Sequence, residues 1–132
     1  MSEIKNFRDL RVWQAGMDLV ERVYKLTKAF PREETYALAT QTQRAAVSVP
    51  SNIAEGHTRE HSKEYAHHLS MSQASLAEVE TQIEIAARLG YVPNDKLVEV
   101  MDEIKSLRRQ LFALRNALLK RQGAGDGGQG SA

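Results

Sequence analysis

Residues 62–89 read SKEYAHHLSMSQASLAEVETQIEIAARL, and Tyr65, Leu69, Ser72, Leu76, Val79, Ile83 and Ala86 fall into one row within them. The intervals alternate between 4 and 3. Their mean of about 3.5 residues is the seam of a helix coiled or bundled against a partner with a left-handed twist. The segment therefore predicts a long helix with an N-cap near Ser62, closed after Leu89 by Gly90, since glycine readily takes the left-handed conformation that ends helices.

Working outward, Pro93 and Asn94 open a second seam, with Asn94 as N-cap and Asp95 in the first turn. It runs through Leu97, Met101, Ile104, Leu107, Leu111, Leu114 and Leu118 to about Gln122. On the other side, a helix is expected from near Pro31 to Gly56, through Leu38, Thr42, Ala45, Val49 and Ile53. Its face is small at Ala45, Ala46 and Ser48, which lets backbones approach. Pro50 would cost about 3 kcal/mol in a straight helix, so a kink is expected there, or a fresh start capped by Ser51 or Asn52. The first helix spans about Asp9 to Ala29, with an apolar face of Leu10, Trp13, Met17, Val20 and Tyr24 beside Leu19, Val23 and Leu26. Four helices, short connections and no hairpin signal give an all-α fold, an antiparallel four-helix bundle. The bundle domain takes residues 1–122, and GAGDGGQGSA at 123–132 reads as a flexible Gly-rich tail.

The chain of 132 residues is one domain, and 42% hydrophobic with 27% charged residues is globular composition. The absence of cysteine excludes a disulfide framework, a thiolate zinc site and a thiol nucleophile. The longest uncharged stretch, Tyr65 to Ala77, has 13 residues, too few to span a membrane. With no apolar signal region at the N-terminus, the expected compartment is the cytoplasm.

Metal chemistry in such bundles is built from paired Glu-x-x-His repeats. Glu64 and His67 have that spacing once, without a second copy, and His57 and His61 flank a helix junction where a shared face is not expected. No metal and no cofactor is expected. Ser48, Ser51 and Ser75 lack a nucleophile elbow. The Arg-to-His spacing of one type of helical ribonuclease is absent after Arg44 and Arg59. No catalytic residue is assigned. Glu78, one position before the core residue Val79, is expected to be partly buried and to need a cation, for which Arg44 and Arg59 are the candidates. Arg44, Asn52, Glu55, Arg59 and Glu78 are thus candidates for a structural polar network. Trp13 reads as a core or subunit-interface aromatic rather than a base-stacking one.

The formal charge of +1 hides a segregation. Residues 5–32 carry seven basic and three acidic groups, residues 33–103 five and twelve, and residues 104–122 six and none. Lys105, Arg109, Asn116 and Lys120 follow one polar line on the last helix, with Arg108 and Arg115 beside it. A basic line without acids is the footprint of a polyanion surface. Lys120 and Arg121 also answer the helix dipole, and Arg108 and Arg115 have a second reading as partners of acids on a neighbouring helix or subunit. The nucleic-acid-binding candidates are Lys105, Arg108, Arg109, Arg115, Lys120 and Arg121.

Three segments carry a resemblance: Phe7 to Gln14 (FRDLRVWQ), Arg44 to Gly56 (RAAVSVPSNIAEG) and Ser75 to Gln82 (SLAEVETQ). Together with Arg59, Ser62, Lys63, Glu64, Tyr65, Leu69 and Leu89-Gly90-Tyr91, they resemble the bacterial four-helix bundle family named after the 23S rRNA intervening-sequence protein. The resemblance covers about Phe7 to Arg121. It implies an all-α protomer of a ring-shaped homopentamer without a catalytic centre. Relatives include proteins encoded inside inserted segments of ribosomal RNA genes. Others are accessory variability proteins of diversity-generating retroelements, which bind a reverse transcriptase and nucleic acid through a basic surface. The chain departs from the family pattern at Thr42 and Gln43, usually an aliphatic residue and often an Arg, and at Ala74, usually Gly, where a wider helix contact is expected.

The leading expectation is a non-enzymatic oligomeric scaffold that binds RNA or DNA through the fourth and first helices, with a reverse transcriptase as a candidate partner. The alternative is a protein–protein interaction module without a nucleic-acid role; third comes a metal-dependent bundle enzyme. The expected partners are further copies of the chain, RNA or DNA, and no membrane.

Overall fold

The computed structural model describes the backbone of residues 4–127 and side chains through Arg121. Its helices are α1 Arg11–Thr27, α2 Leu38–His57, α3 Ser62–Arg88 and α4 Asn94–Gly127, with short 3-10 turns at Phe7–Asp9 and Arg32–Glu34. No strand occurs among the described residues. No helix among them is long and apolar enough to cross a membrane.

The α3 seam is the core. Leu69, Ser72, Leu76, Val79, Ile83 and Ala86 are buried, and Tyr65 packs against the same cluster. Opposite them α2 presents Ala45, Ala46, Val49 and Ile53, and α4 adds Val100, Ile104, Leu107, Leu111 and Leu118. The small α2 face brings the two backbones close enough for Ser72 Oγ to donate to the Val49 carbonyl at 2.7 Å. Ser75 Oγ donates to Ser48 Oγ at 2.8 Å. Gly56 closes this contact: a Cβ there would stand 2.8 Å from His68 Cβ and 2.9 Å from Tyr65 Cδ1. Between α1 and α2, Gly16 lies against Pro50, and Gln43 Nε2 donates to Thr27 Oγ1 at 2.9 Å.

Gly90 ends α3 with φ +83°, while Tyr91 N donates to the Ala86 carbonyl at 2.8 Å and Gly90 N to Ala87 at 3.0 Å. This paired closure requires a left-handed residue. Tyr91 then packs on Phe30, with ring centroids 5.6 Å apart, and donates its hydroxyl to Glu34 Oε2 at 2.9 Å, pinning the loop before α4 to the turn before α2.

Several expectations are corrected. The second helix starts at Leu38 rather than Pro31, because residues 32–34 close a separate 3-10 turn. Pro50 neither breaks α2 nor restarts it: Ser51 Oγ and Asn52 Nδ2 bond back to the carbonyls of Val47 and Ser48 inside a continuous helix. Ser62 is the first residue of α3 and does not cap it. On α1 the buried row is Val12, Gly16, Leu19, Val23 and Thr27; Met17 and Tyr24, expected on the core face, are exposed, and Trp13 and Val20 are half-buried. Ala74 is exposed, so it widens no helix contact. Helix α4 continues through Gly127, past the expected end at Gln122; the first five residues of the expected tail thus have helical backbone, and residues 128–132 lie outside the described residues. No proline or left-handed glycine interrupts it before that point.

Gly56→Ala should lower stability in urea by about 1–3 kcal/mol, as overpacking does, and Gly16→Ala by less, since its Cβ would meet Pro50 Cβ at 3.3 Å. Equal effects would contradict the tighter α2–α3 contact. Tyr65 adds a test, because its buried hydroxyl has no hydrogen-bond partner and burial raises its pKa. A raised folded pKa gives stability that is complete below the unfolded pKa, near about 10, and is lost as pH climbs through the folded value. Tyr65→Phe should therefore match or exceed wild-type stability at pH 7, by up to about 1 kcal/mol, and lose less above about pH 10.

Candidate nucleic-acid interface

Helix α4 changes character along its length. Its first half carries Asp95, Glu99, Asp102 and Glu103, and α1 answers with Arg22, which bonds Glu103 and reaches Glu99 Oε2 at 3.2 Å. Lys96 Nζ lies 3.9 Å from the same Glu99 oxygen. Two of these four acids, Glu99 and Glu103, are thus paired with cations. From Ile104 to Gln122 no acid occurs.

The six basic candidates do not form one surface. Lys105, Arg109 and Lys120 are exposed, and none makes an ion pair among the described residues. Arg108 is engaged with Glu80 of α3, as the neighbouring-helix reading anticipated. Arg115 is half-buried, with its Nε shut from solvent and unpartnered. Each residue turns the helix by about 100°, which puts Arg121 about 120° from Arg115 and about 160° from Lys105, away from the stripe. By the same rotation Arg121 falls within about 20° of Gln110 and Leu114, which line a groove of ≈520 Å³ with Ile4, Asp9 and Arg11. The basic N-terminal end of α1 and the basic half of α4 therefore meet at one end of the molecule. Arg8 lies there too, with its guanidinium 4.8 Å from the Phe7 ring centroid.

One residue on this face was not read from the sequence. Phe112 is 54% exposed and lies between Arg109 and Asn116 on the same line. Its spacing from them, 3 and 4, was the available signal, hidden because the line had been traced through polar residues alone.

The polar network is smaller than expected and differently composed. Asn52 is buried and donates Nδ2 to the Ser48 carbonyl at 3.0 Å and to Ser48 Oγ at 3.1 Å, while its Oδ1 lies 3.3 Å from His68 Nδ1. Glu55 Oε2 stands 3.6 Å from the same ring nitrogen. Glu78 is exposed, not partly buried, because the side chain next to the seam points off it; Arg44 flanks the same shallow groove without bonding to it. Arg59 is exposed and lines a groove with Lys63, Glu64, His67 and the network residue His68, without bonding to any of the other four candidates. The residue that joins Asn52 to Glu55 is His68, which nothing in its spacing singled out from His67.

Among the described residues no three His, Asp or Glu side chains converge as metal ligands. Glu64 and His67 are exposed; His57 belongs to the end of α2 and His61 precedes α3, so the two share no helical face.

A family model described as 23S rRNA-intervening sequence protein matches residues 8–113. The match takes in all of α1, α2 and α3 and the part of α4 that bears Lys105, Arg108, Arg109 and Phe112. No curated protein matches the chain.

The network can be tested by substitution. Asn52→Ala should cost about 1–3 kcal/mol in thermal or urea unfolding, because it strips His68 of a partner. Arg44→Ala and Glu78→Ala should each stay within about 0.5 kcal/mol, as exposed positions do. A large loss at Glu78 would restore it to the network.

Proposed function

The chain belongs to the 23S rRNA-intervening sequence protein family, and from that membership and the basic face of α4 we propose a non-enzymatic helical scaffold that binds RNA or DNA. The observation that carries this reading is the run of exposed cations Lys105, Arg109 and Lys120, without an ion pair among the described residues, on a helix stretch without acids. A polyanion gains affinity there by releasing its counterions, without any specific base contact. Arg11, with Arg8 in the 3-10 turn before α1, would add a separate basic patch on the α1 side of α4.

In the same reading the four helices form an antiparallel bundle that is the protomer of a homo-oligomeric ring, a pentamer by family resemblance. Support comes from the second apolar stripe of α1: Trp13, Met17 and Val20 line a groove of ≈310 Å³ with Val47 and Pro50 of α2. Nothing in the protomer covers it, and a neighbouring copy would. A ring would repeat the basic face once per subunit and multiply weak contacts into avidity. The bacterial resemblance adds a cytoplasmic setting and a reverse transcriptase as a candidate protein partner.

The second reading is a protein–protein interaction module without nucleic acid, and the same groove favours it. Salt separates the two. With Arg108 engaged and Arg121 turned away, Lys105, Arg109, Arg115 and Lys120 would neutralise about four phosphates per protomer, for a slope of about −3 in log K against log salt. Between 50 and 200 mM salt that slope weakens binding roughly sixtyfold. Replacing Lys105, Arg109 and Lys120 together by Glu should lower affinity for RNA at least about tenfold while helicity and oligomer mass are unchanged. A flat salt response, or no binding at low salt, would sink the nucleic-acid reading and leave the interaction module.

A further inference from the structure

We propose that Phe112 is a base-stacking platform and that the α4 face takes single-stranded rather than duplex nucleic acid. The inference rests on the nucleic-acid reading and names its substrate class. Its ground is a juxtaposition: a Phe ring 54% exposed, in the middle of a stripe of cations. Helical rotation places Phe112 within about 60° of Lys105, Arg108, Arg109, Arg115 and Asn116 around the axis. Leu119, 39% exposed, continues the apolar part of the face one heptad on, about 10 Å along the helix.

A scattered exposed apolar side chain needs no explanation. This one differs in what surrounds it. The exposed cations Lys105 and Arg109 precede it by about two turns and one turn, on the same side of the helix, so a ligand drawn to them is brought over the ring. An apolar protein partner would have to desolvate Lys105 and Arg109, which no acid among the described residues pairs; Glu80 compensates Arg108 alone. A phosphate-bearing chain meets both demands. In a duplex the bases are already stacked inside, and the ring would lie against sugar and phosphate; in a single strand each base offers a free π-face, and stacking on an aromatic ring is tolerant of sequence. Charge along the backbone with an aromatic at the centre is the combination that single-strand binders use.

The test uses the full chain and two fluorescent probes, an unstructured single-stranded RNA 12-mer and the same sequence as a duplex, titrated at one fixed salt concentration. Phe112→Ala should weaken single-strand binding about fivefold to a hundredfold and change duplex binding less than about twofold. Phe112→Trp should restore or tighten it, and the Lys105, Arg109 and Lys120 charge reversal should weaken both probes. If Phe112→Ala leaves the single strand unchanged while charge reversal abolishes binding, stacking is overturned and the nucleic-acid reading survives. If wild type binds neither probe, both fall. If Phe112→Ala changes the oligomer mass, the ring is a subunit contact and the proposal is overturned.

Discussion

The closeness of α2 to α3 is the constraint on which the remaining architecture depends. Ser72 reaches the Val49 carbonyl, and Gly56 leaves no room for a Cβ against His68 and Tyr65. Such an approach requires small residues along one whole row, here Ala45, Ala46, Ser48 and Gly56 facing Ser72 and Ser75. The serines solve the problem this creates, since their hydroxyls bond to a carbonyl and to each other rather than remaining buried and unpaired. Once two helices are locked at that distance, the large side chains Leu69, Leu76, Ile53 and Ile83 must point to the remaining sides. There α4 covers them with Ile104, Leu107 and Leu111.

Helix α1 is held differently. It meets α2 where Gly16 accepts the ring of Pro50, so the proline that would weaken an isolated helix serves as a packing surface in this one. One side of α1 is consumed by this contact and by Val12, Leu19 and Val23. Its apolar arc is wider than one contact can cover, and the excess, Trp13, Met17, Val20 and Tyr24, remains at the surface. An arc of that breadth is a demand for a further neighbour.

How much could be read from the sequence followed from how uniquely each pattern pointed. The α3 seam had a single apolar row, and every member from Leu69 to Ala86 is buried. Gly90 was legible for the same reason, since a left-handed residue after a long helix has few alternatives. On α1 two rows, Val12-Gly16-Leu19-Val23 and Trp13-Met17-Val20-Tyr24, have the same spacing; the expected face holds Leu19 and Val23 of the first and all of the second, and lacks Val12 and Gly16. Burial was decided by Gly16, whose lack of a side chain carries no hydropathy signal. The site divided similarly. The +6 stretch was visible by counting, but Arg108's engagement by Glu80 and the rotation of Arg121 depend on which helices flank α4. His68 rather than His67 joins the polar network because only one of two adjacent residues can face Asn52.

The net charge of +1 is best understood through pairing. In the first half of α4, Glu99 and Glu103 are engaged by Arg22 and Lys96, and Glu84 lies 3.6 Å from Arg88, so several acids of residues 33–103 are paired inside the protomer. Among the described residues, the stretch 104–122 has one such partner, Glu80, for six basic groups. Exposed ion pairs contribute little stability, so the absence of acids from this stretch costs the fold little. A like-charged stripe, by contrast, repels itself and does not help a lone helix form. A stripe that adds nothing to the buried side of α4, and carries an exposed aromatic ring among its cations, has a composition better explained by an outside ligand than by packing within the protomer.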